Sequence, residues 1–309
     1  MPHTPRLCIG LPVYNGENYL AASIESILAQ TFTDFRFIIS DNASTDGTEE
    51  ICRAFGRQDA RIEYHRGAQN RGAAWNLNHV ARLADSEYFK WAMHDDVCGP
   101  ELVQRCVEQL DARPGVVLCH TKSYIIDAQG TVLRSYENRV KATAPTPSER
   151  FTDVLWHLGL CHMQCGVIRH AVLRETVLHG AYPGSDYILL AELALRGPFH
   201  EVNEPLFFRR DHDARLGRAQ LSAAAYAEWF DPPNAGKIQM LHWILLGDCV
   251  RVIARAPISL DQKVRCLYPL ARWVRWRAPA LRHDLAHGTT LLLRRAIRPS
   301  PPNSLGRVE

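Results

Sequence analysis

Apolar and polar positions alternate in blocks along the first hundred residues. Leu7 to Val13 is a continuous apolar run that closes in Pro12-Val13-Tyr14-Asn15-Gly16, predicting a buried strand and a tight turn. Between Glu17 and Gln30, Leu20, Ile24, Ile27 and Leu28 recur at helical spacing, predicting an amphipathic helix. A second apolar run, Phe35 to Ser40, passes into Asp41-Asn42-Ala43-Ser44-Thr45-Asp46-Gly47, where Ser44 or Asp46 is placed to cap a helix reaching Phe55. Arg61 to His65 predicts a third strand. Asn70-Arg71-Gly72 then leads into a helix from Ala73 to Leu83, and Tyr88 to Met93 predicts a fourth strand. Strand and helix in strict alternation imply a parallel sheet with right-handed crossovers. Three of these four strands run into Asp, Asn or Ser clusters, which such a sheet gathers along one edge, where ligands bind.

The second part of the pattern is less regular. Glu101 to Ala112 has Leu102, Val103, Cys106, Val107 and Leu110 on one helical face. Val116 to Thr121, Tyr124 to Asp127 and Thr131 to Leu133 predict strands, the last two joined by a hairpin at Ala128-Gln129-Gly130. The polar stretch from Asn138 to Arg150, with Pro145 and Pro147, predicts a mobile loop of the kind that acts as a lid. Helices are expected over Phe151 to Gly159, His170 to Leu178 and Asp186 to Arg196, and a strand broken at Pro205 over Phe199 to Arg209. Lys237 to Ala254 and Leu267 to Trp276 predict further helices, the latter mixing Trp273 and Trp276 with Arg272 and Arg275.

With 309 residues, 46% of them hydrophobic, the chain is long enough for one large domain with an appendage. Charge divides it: Val250 to Arg298 carries 11 Lys or Arg against 2 Asp or Glu, so a chain of net +3 has a mildly acidic body and a basic tail region. Such a tail fits an anionic partner surface. Nine cysteines without framework spacing predict reduced core residues and a cytosolic setting. The first residues lack the apolar region of a signal peptide, and no apolar run approaches the roughly 18 residues of a membrane span.

The chemistry begins at His94-Asp95-Asp96, where the fourth strand leaves the sheet. Adjacent carboxylates repel unless a cation or hydrogen-bond donors compensate, and hard oxygen ligands suit Mg²⁺ or Mn²⁺, which suit phosphates. The plain alternative is that both residues cap the helix starting near Pro100. Neither Gly-x-Gly-x-x-Gly nor a P-loop follows the first strand, which removes the main support for dinucleotide and P-loop readings. Cys161-His162-x-x-Cys165 has the look of a zinc half-site, but no second pair lies at suitable spacing.

Taken together, the chain resembles the family-2 glycosyltransferases, inverting enzymes of the GT-A fold. The resemblance rests on Pro12, Tyr14-Asn15 and Glu17; Ser40-Asp41-Asn42-Ala43-Ser44-Thr45-Asp46-Gly47-Thr48; Asn70-Arg71-Gly72 with Asn76; His94-Asp95-Asp96; Gly184-Ser185-Asp186; and Arg209-Arg210-Asp211-His212. It covers roughly residues 6 to 215 in family order. It implies an α/β fold with a mostly parallel sheet, a catalytic domain over 1–215 and a basic, mainly helical extension over 216–309. It implies that Pro12, Tyr14, Asn15, Glu17, Asn42 and Ser44 belong to the nucleotide-sugar pocket and that Asp41 accepts a hydrogen bond from the base. Asp46 and Arg71 would border that pocket and Asp95 would meet the ribose or sugar. Asp96 and His212 would hold Mn²⁺ or Mg²⁺ at the diphosphate, and Asp186 would be the base.

One departure is His94, which stands where many relatives have a further acid. Another is the absence of the Gln-x-x-Arg-Trp signature of processive synthases, so one sugar per encounter is expected. The resemblance implies a UDP-sugar donor most often; the basic tail, read from its charge and tryptophans, fits a glycan, glycolipid or lipid-linked acceptor and a cytoplasmic protein with that tail against the inner face of the membrane. A helical bundle with solvent-facing arginines is the alternative for the tail. Rival functions are a non-catalytic sugar-nucleotide binding module and a nucleotidyltransferase, which would release pyrophosphate. Nucleic acid is excluded as a partner by the acidic body.

Overall fold

The computed structural model describes residues 4–157, 159–212 and 223–297. The first half alternates as its apolar pattern dictates: β1 Leu7–Val13, α1 Leu20–Leu28, β2 Phe35–Asp41, α2 Thr48–Gln58, β3 Ile62–Arg66, α3 Ala73–Leu83 and β4 Tyr88–Trp91. These strands pair in parallel in the order β3-β2-β1-β4. Chain direction across the sheet therefore reverses between β1 and β4, which opens a crevice at their carboxyl ends. Strand residues alternate between two cores. Leu7, Ile9, Leu11, Phe37 and Ile39 pack with α1 and with α4 (Leu102–Ala112), whereas Cys8 and Ile38 face Val80 of α3 and the later helices.

Five further strands extend the sheet: β5 Val97–Cys98, β6 Leu118–Ile126, β7 Val132–Tyr136, β8 Val167–Arg169 and β9 Phe199–Arg210. β8 lies antiparallel between β4 and β6, β9 runs parallel to β6, and β7 hairpins onto β6. The two strands expected over 116–127 are thus one, and Pro205 does not break β9. The pairing instead shifts register around Lys122, which faces Pro205, so a residue without an N–H is accommodated by irregularity within a continuous ladder.

Several expectations are corrected. The segment expected to be a mobile lid is pinned: Asp153 Oδ2 accepts the amides of Lys141 (2.8 Å) and Ala142 (2.7 Å), and the Ala142 carbonyl accepts Phe199 N–H. The helix α5 behind it, Pro147–His157, begins at a proline that cannot donate a bond and so suits a first turn. The helix expected over 170–178 is only α6, His170–Leu173, because the buried Glu192 of α7 (Ser185–Arg196) captures the Val177 amide. The boundary expected at 215/216 lies outside the described residues. Beyond it, α8 Ala223–Phe230, α9 Leu241–Arg255 and α10 Leu260–Ile297 follow, with α9 packed on α7, and α10 on α5 and α9. Among the described residues no helix is long and apolar enough to cross a membrane.

Candidate functional site

The crevice holds a cavity of about 470 Å³ whose floor is made by the loops after β1 and β2. The buried Asn76 of α3 ties the two strand ends together. Its amide donates to the Val13 and Ser40 carbonyls (3.2 and 2.9 Å), and its oxygen accepts the Ser40 hydroxyl (2.6 Å). The loops then interlock. Asn15 N–H donates to Ser44 Oγ, Thr45 N–H donates to Asn15 Oδ1, and Gly16 N–H donates to the Thr48 hydroxyl, each at 2.9 Å. Asn15 (φ 51°) and Ala43 (φ 63°) take left-handed conformations to achieve this. Asp46 accepts the Glu17 and Thr48 amides, both at 3.1 Å, while Glu17 accepts the Gly47 amide. Partial burial opposes the Asp46 charge, but bonds from Thr48 and the Glu17 amide outweigh it and hold the carboxyl below its ordinary range.

Pro12, Tyr14, Asn15, Asn42, Asp95, Asp96, Asp186 and His212 all line the cavity, whereas Glu17, Asp41, Ser44, Asp46 and Arg71 do not. Asp41 is fully buried. One oxygen accepts Ser44 N–H (2.8 Å), and the other accepts the Tyr64 hydroxyl (2.8 Å) and Arg66 (3.2 Å). Asp41 thus ties together β2, its loop and β3. Ser44, Asp46 and Glu17 form the loop clasp. Arg71 donates its amide to Asn42 Oδ1 and lays its guanidinium 4.2 Å from the Trp75 ring.

At the other side of the switch point, β4 ends at Trp91 and Met93–Asp96 turn into the cavity. Asp96 is 5% exposed and its Oδ1 accepts the Arg210 amide at 2.9 Å. The Arg210 guanidinium reaches the carbonyls of Asp95, Asp127 and Ala128 and lies 4.8 Å from the Tyr19 ring. His212 Nε2 pairs with Asp95 Oδ2 at 3.2 Å, its ring tilts against Tyr19, and its buried Nδ1 has no hydrogen-bond partner among the described residues. The orphaned His212 nitrogen belongs to the same cavity lining as Asp95 and Asp96, and these donor types suit a divalent ion. Among the described residues no three His, Cys, Asp or Glu converge, so such an ion would complete its shell with phosphate oxygens and water.

The cavity lining also includes Asp186, on the first turn of α7 after the left-handed Gly184 (φ 85°). Beside it lie Cys161, His162 and Gln164 of the segment leading into and through a short 3-10 helix, His162–Cys165. The fully buried Lys90 of β4 donates to the Cys165 and Trp91 carbonyls and ties that helix to the sheet. Gly166 passes so close to the Cys119 carbonyl that no side chain fits. Burial first, then the Asp186 carboxylate, pushes the Cys161 thiol far up, and burial raises Cys165 to about 12. His179 also lines the cavity. It is 5% exposed, its Nδ1 meets Ser185 Oγ at 3.4 Å, and its Nε2 has no partner among the described residues.

The sequence pattern did not single out α8. Its Tyr226, Trp229 and Phe230 line the cavity, and its end abuts Gly72, where any Cβ would stand 2.5 Å from the Phe230 carbonyl. The assignment of everything past 216 to a tail hid these residues. Three aromatics on an alanine-rich helix were the available signal.

Residues 8–177 match the family described as Glycosyl transferase family 2. An uncharacterized glycosyltransferase of Rickettsia felis is 31% identical over 229 residues, which are 71% of this chain and 36% of that protein. Chondroitin synthase of Escherichia coli is 26% identical over 214 residues, 69% of this chain and 30% of its own. The chain thus spans about a third of the length of the curated relatives it matches. Among solved structures, S. aureus TarS 1–349 in complex with UDP-GlcNAc superposes with a TM-score of 0.64 at 14% identity, covering 93% of this chain and 81% of that one. The mannosyltransferase PcManGT from Pyrobaculum calidifontis, in complex with GDP-Man and Mn²⁺, gives 0.53 at 15% identity, covering 97% and 78%. At such identities the likeness speaks for the fold alone.

Proposed function

Because the chain belongs to glycosyl transferase family 2 and has the GT-A fold, we propose that this glycosyltransferase moves one sugar from a nucleoside-diphosphate sugar to a hydroxyl acceptor with inversion. The observation that carries this reading is that Asp95, Asp96, His212 and Asp186 all line one cavity at the sheet's switch point. The nucleoside lies over the β1 and β2 loops, beside Pro12, Tyr14, Asn15 and Asn42. Arg71 and the clasp of Ser44, Asp46 and Glu17 hold those loops in shape, and Asp41 braces them from below. Asp95 meets the ribose or sugar.

Asp96 and His212 would hold Mn²⁺ or Mg²⁺, which supplies Lewis-acid stabilisation of the departing diphosphate. Asp186 takes the proton of the acceptor hydroxyl as that oxygen attacks the anomeric carbon from the face opposite the leaving group. UDP is the first nucleotide to test, since TarS was solved with UDP-GlcNAc, and GDP the second, after the GDP-Man complex. Transfer is single-sugar, and the acceptor is a glycan, glycolipid or lipid-linked intermediate presented at the inner face of an anionic membrane, against which the basic α10 lies.

The test is calorimetric titration of UDP, dTDP and GDP with and without Mn²⁺, on the wild type and Asp96→Ala. Metal-dependent binding of one nucleotide, lost in the variant, is expected. Absence of binding by all three in both conditions would sink the donor-site assignment.

A further inference from the structure

The helix α8 lies across the cavity. Its Phe230 end abuts Gly72, next to Asn70 on the nucleotide side. Tyr226, one turn earlier, is close enough to Asp186 for that carboxylate, after burial, to raise the phenol's pKa. The helix thus spans from the loops that would cradle the nucleotide to the side chain that would take the acceptor's proton. Trp229 sits between these ends. It lines the cavity yet keeps 42% of its surface open, which places its indole at the mouth. Leu160 is 37% exposed and also lines the cavity. Tyr187, 40% exposed, is anchored to the Gly159 carbonyl through its hydroxyl.

A half-open aromatic shelf in a cleft that mixes apolar side chains such as Leu77, Met93 and Phe207 with Asn, Asp, Gln and His suits an occupant that is apolar on its face and polar at its rim. A pyranose ring has that form: its axial C–H groups present a hydrocarbon face and its edge carries hydroxyls. An alkyl tail does not, because it would bury the polar groups around it without partners. The described residues of α8 offer no cation, since 225–230 read Ala-Tyr-Ala-Glu-Trp-Phe, and the arginine of the cavity lining, Arg209, belongs to β9.

We infer that Trp229, flanked by Tyr226, is the acceptor subsite, and that its occupant is a saturated sugar ring stacked on the indole with one hydroxyl directed at Asp186. The acceptor is therefore recognised as a glycoside, whatever carries that glycoside. This rests on the transferase reading and deepens it. The donor fills the floor of the cleft, and the acceptor ring closes the mouth over it.

The experiment is saturation-transfer NMR with octyl β-glucoside, octyl β-galactoside and octyl N-acetyl-β-glucosaminide below their micelle-forming concentrations. Each probe carries a sugar ring and an alkyl chain. The full chain is studied with and without UDP, as wild type, Trp229→Ala and Trp229→Phe, with melting temperatures recorded to confirm folding. Saturation of ring protons in the wild type is expected, lost in Trp229→Ala and partly kept in Trp229→Phe, with affinity roughly 2- to 10-fold weaker in the latter, the range that aromatic contacts command. Saturation confined to alkyl protons, ring saturation indifferent to Trp229, or none at all would overturn the assignment. Nucleotide titration of the same wild-type sample separates the two readings. A protein that binds UDP, dTDP or GDP yet fails the ring test keeps its donor site and loses only this subsite.

Discussion

His179 is held uncharged by its surroundings. Burial, partly opposed by the Asp186 carboxylate, pushes its pKa from the ordinary 6.5 to about 4. Since the folded pKa lies below the unfolded one, the stability associated with the neutral ring is fully present above about pH 6.5 and is lost as pH falls toward 4. Melting temperature should fall over that window, by an amount worth about 3 kcal/mol at most, and His179→Asn should flatten the fall. An unchanged slope in the variant would remove His179 as its source. No sequence pattern announces such a residue, because its character comes from Trp91, Ser185 and Asn78, which approach from other elements. Asp41 teaches the converse. Its place in a motif was legible, but only the structure reveals that Tyr64 and Arg66 of the neighbouring strand occupy its oxygens. By contrast Asp95, Asp96 and Asp186 were legible as cavity residues, because strand ends and a helix start fix where their side chains go.

Elements were legible in proportion to their length and their periodicity. β1 and α3 have the limits that their apolar spacing predicts, Leu7–Val13 and Ala73–Leu83. β8 and the 3-10 helix before it are too short to show a period, and His162, Gln164 and Cys165 of that helix line the cavity. The polar segment 138–146 misled for a different reason. Its sequence is loop-like, but Val140 and Ala142 are buried, and a carboxylate from the following helix satisfies two of its amides. Asp153→Ala should cost about 2 kcal/mol, the usual loss when charged hydrogen bonds are removed. It should also raise amide exchange and proteolysis within 138–146 specifically. Uniform destabilisation without a local increase would mean that the strap is held by its buried side chains and not by Asp153.

On the scale of the molecule, α10 is the unresolved conflict between two apolar faces. Cys266, Leu270, Trp273 and Leu281 are buried, in a bundle with α5 and α9. Leu260, Val264, Leu267 and Tyr268 are 76%, 57%, 50% and 70% exposed. Their spacing of four, three and one is the spacing that buries one side of α1, so here it marks a face without a covering element among the described residues. The bundle expected as the alternative to membrane contact is thus present, and it leaves this second face open. Arg265, Arg272 and Arg275 are exposed on the same helix, within a region of net +9, and apolar side chains among arginines match the boundary between acyl chains and anionic headgroups. Binding to phosphatidylglycerol-containing vesicles is expected, with none to pure phosphatidylcholine, and it should weaken as salt rises beyond about 0.15 M, where surface charges are screened within roughly 8 Å. Replacing Leu267 and Tyr268 together by glutamate removes about 3 kcal/mol of apolar burial and should reduce vesicle affinity about a hundredfold. A protein that ignores anionic vesicles but dimerises through this face, and becomes monomeric in the double variant, would assign the face to a second copy. The acceptor would then reach Trp229 from solution and not along a membrane.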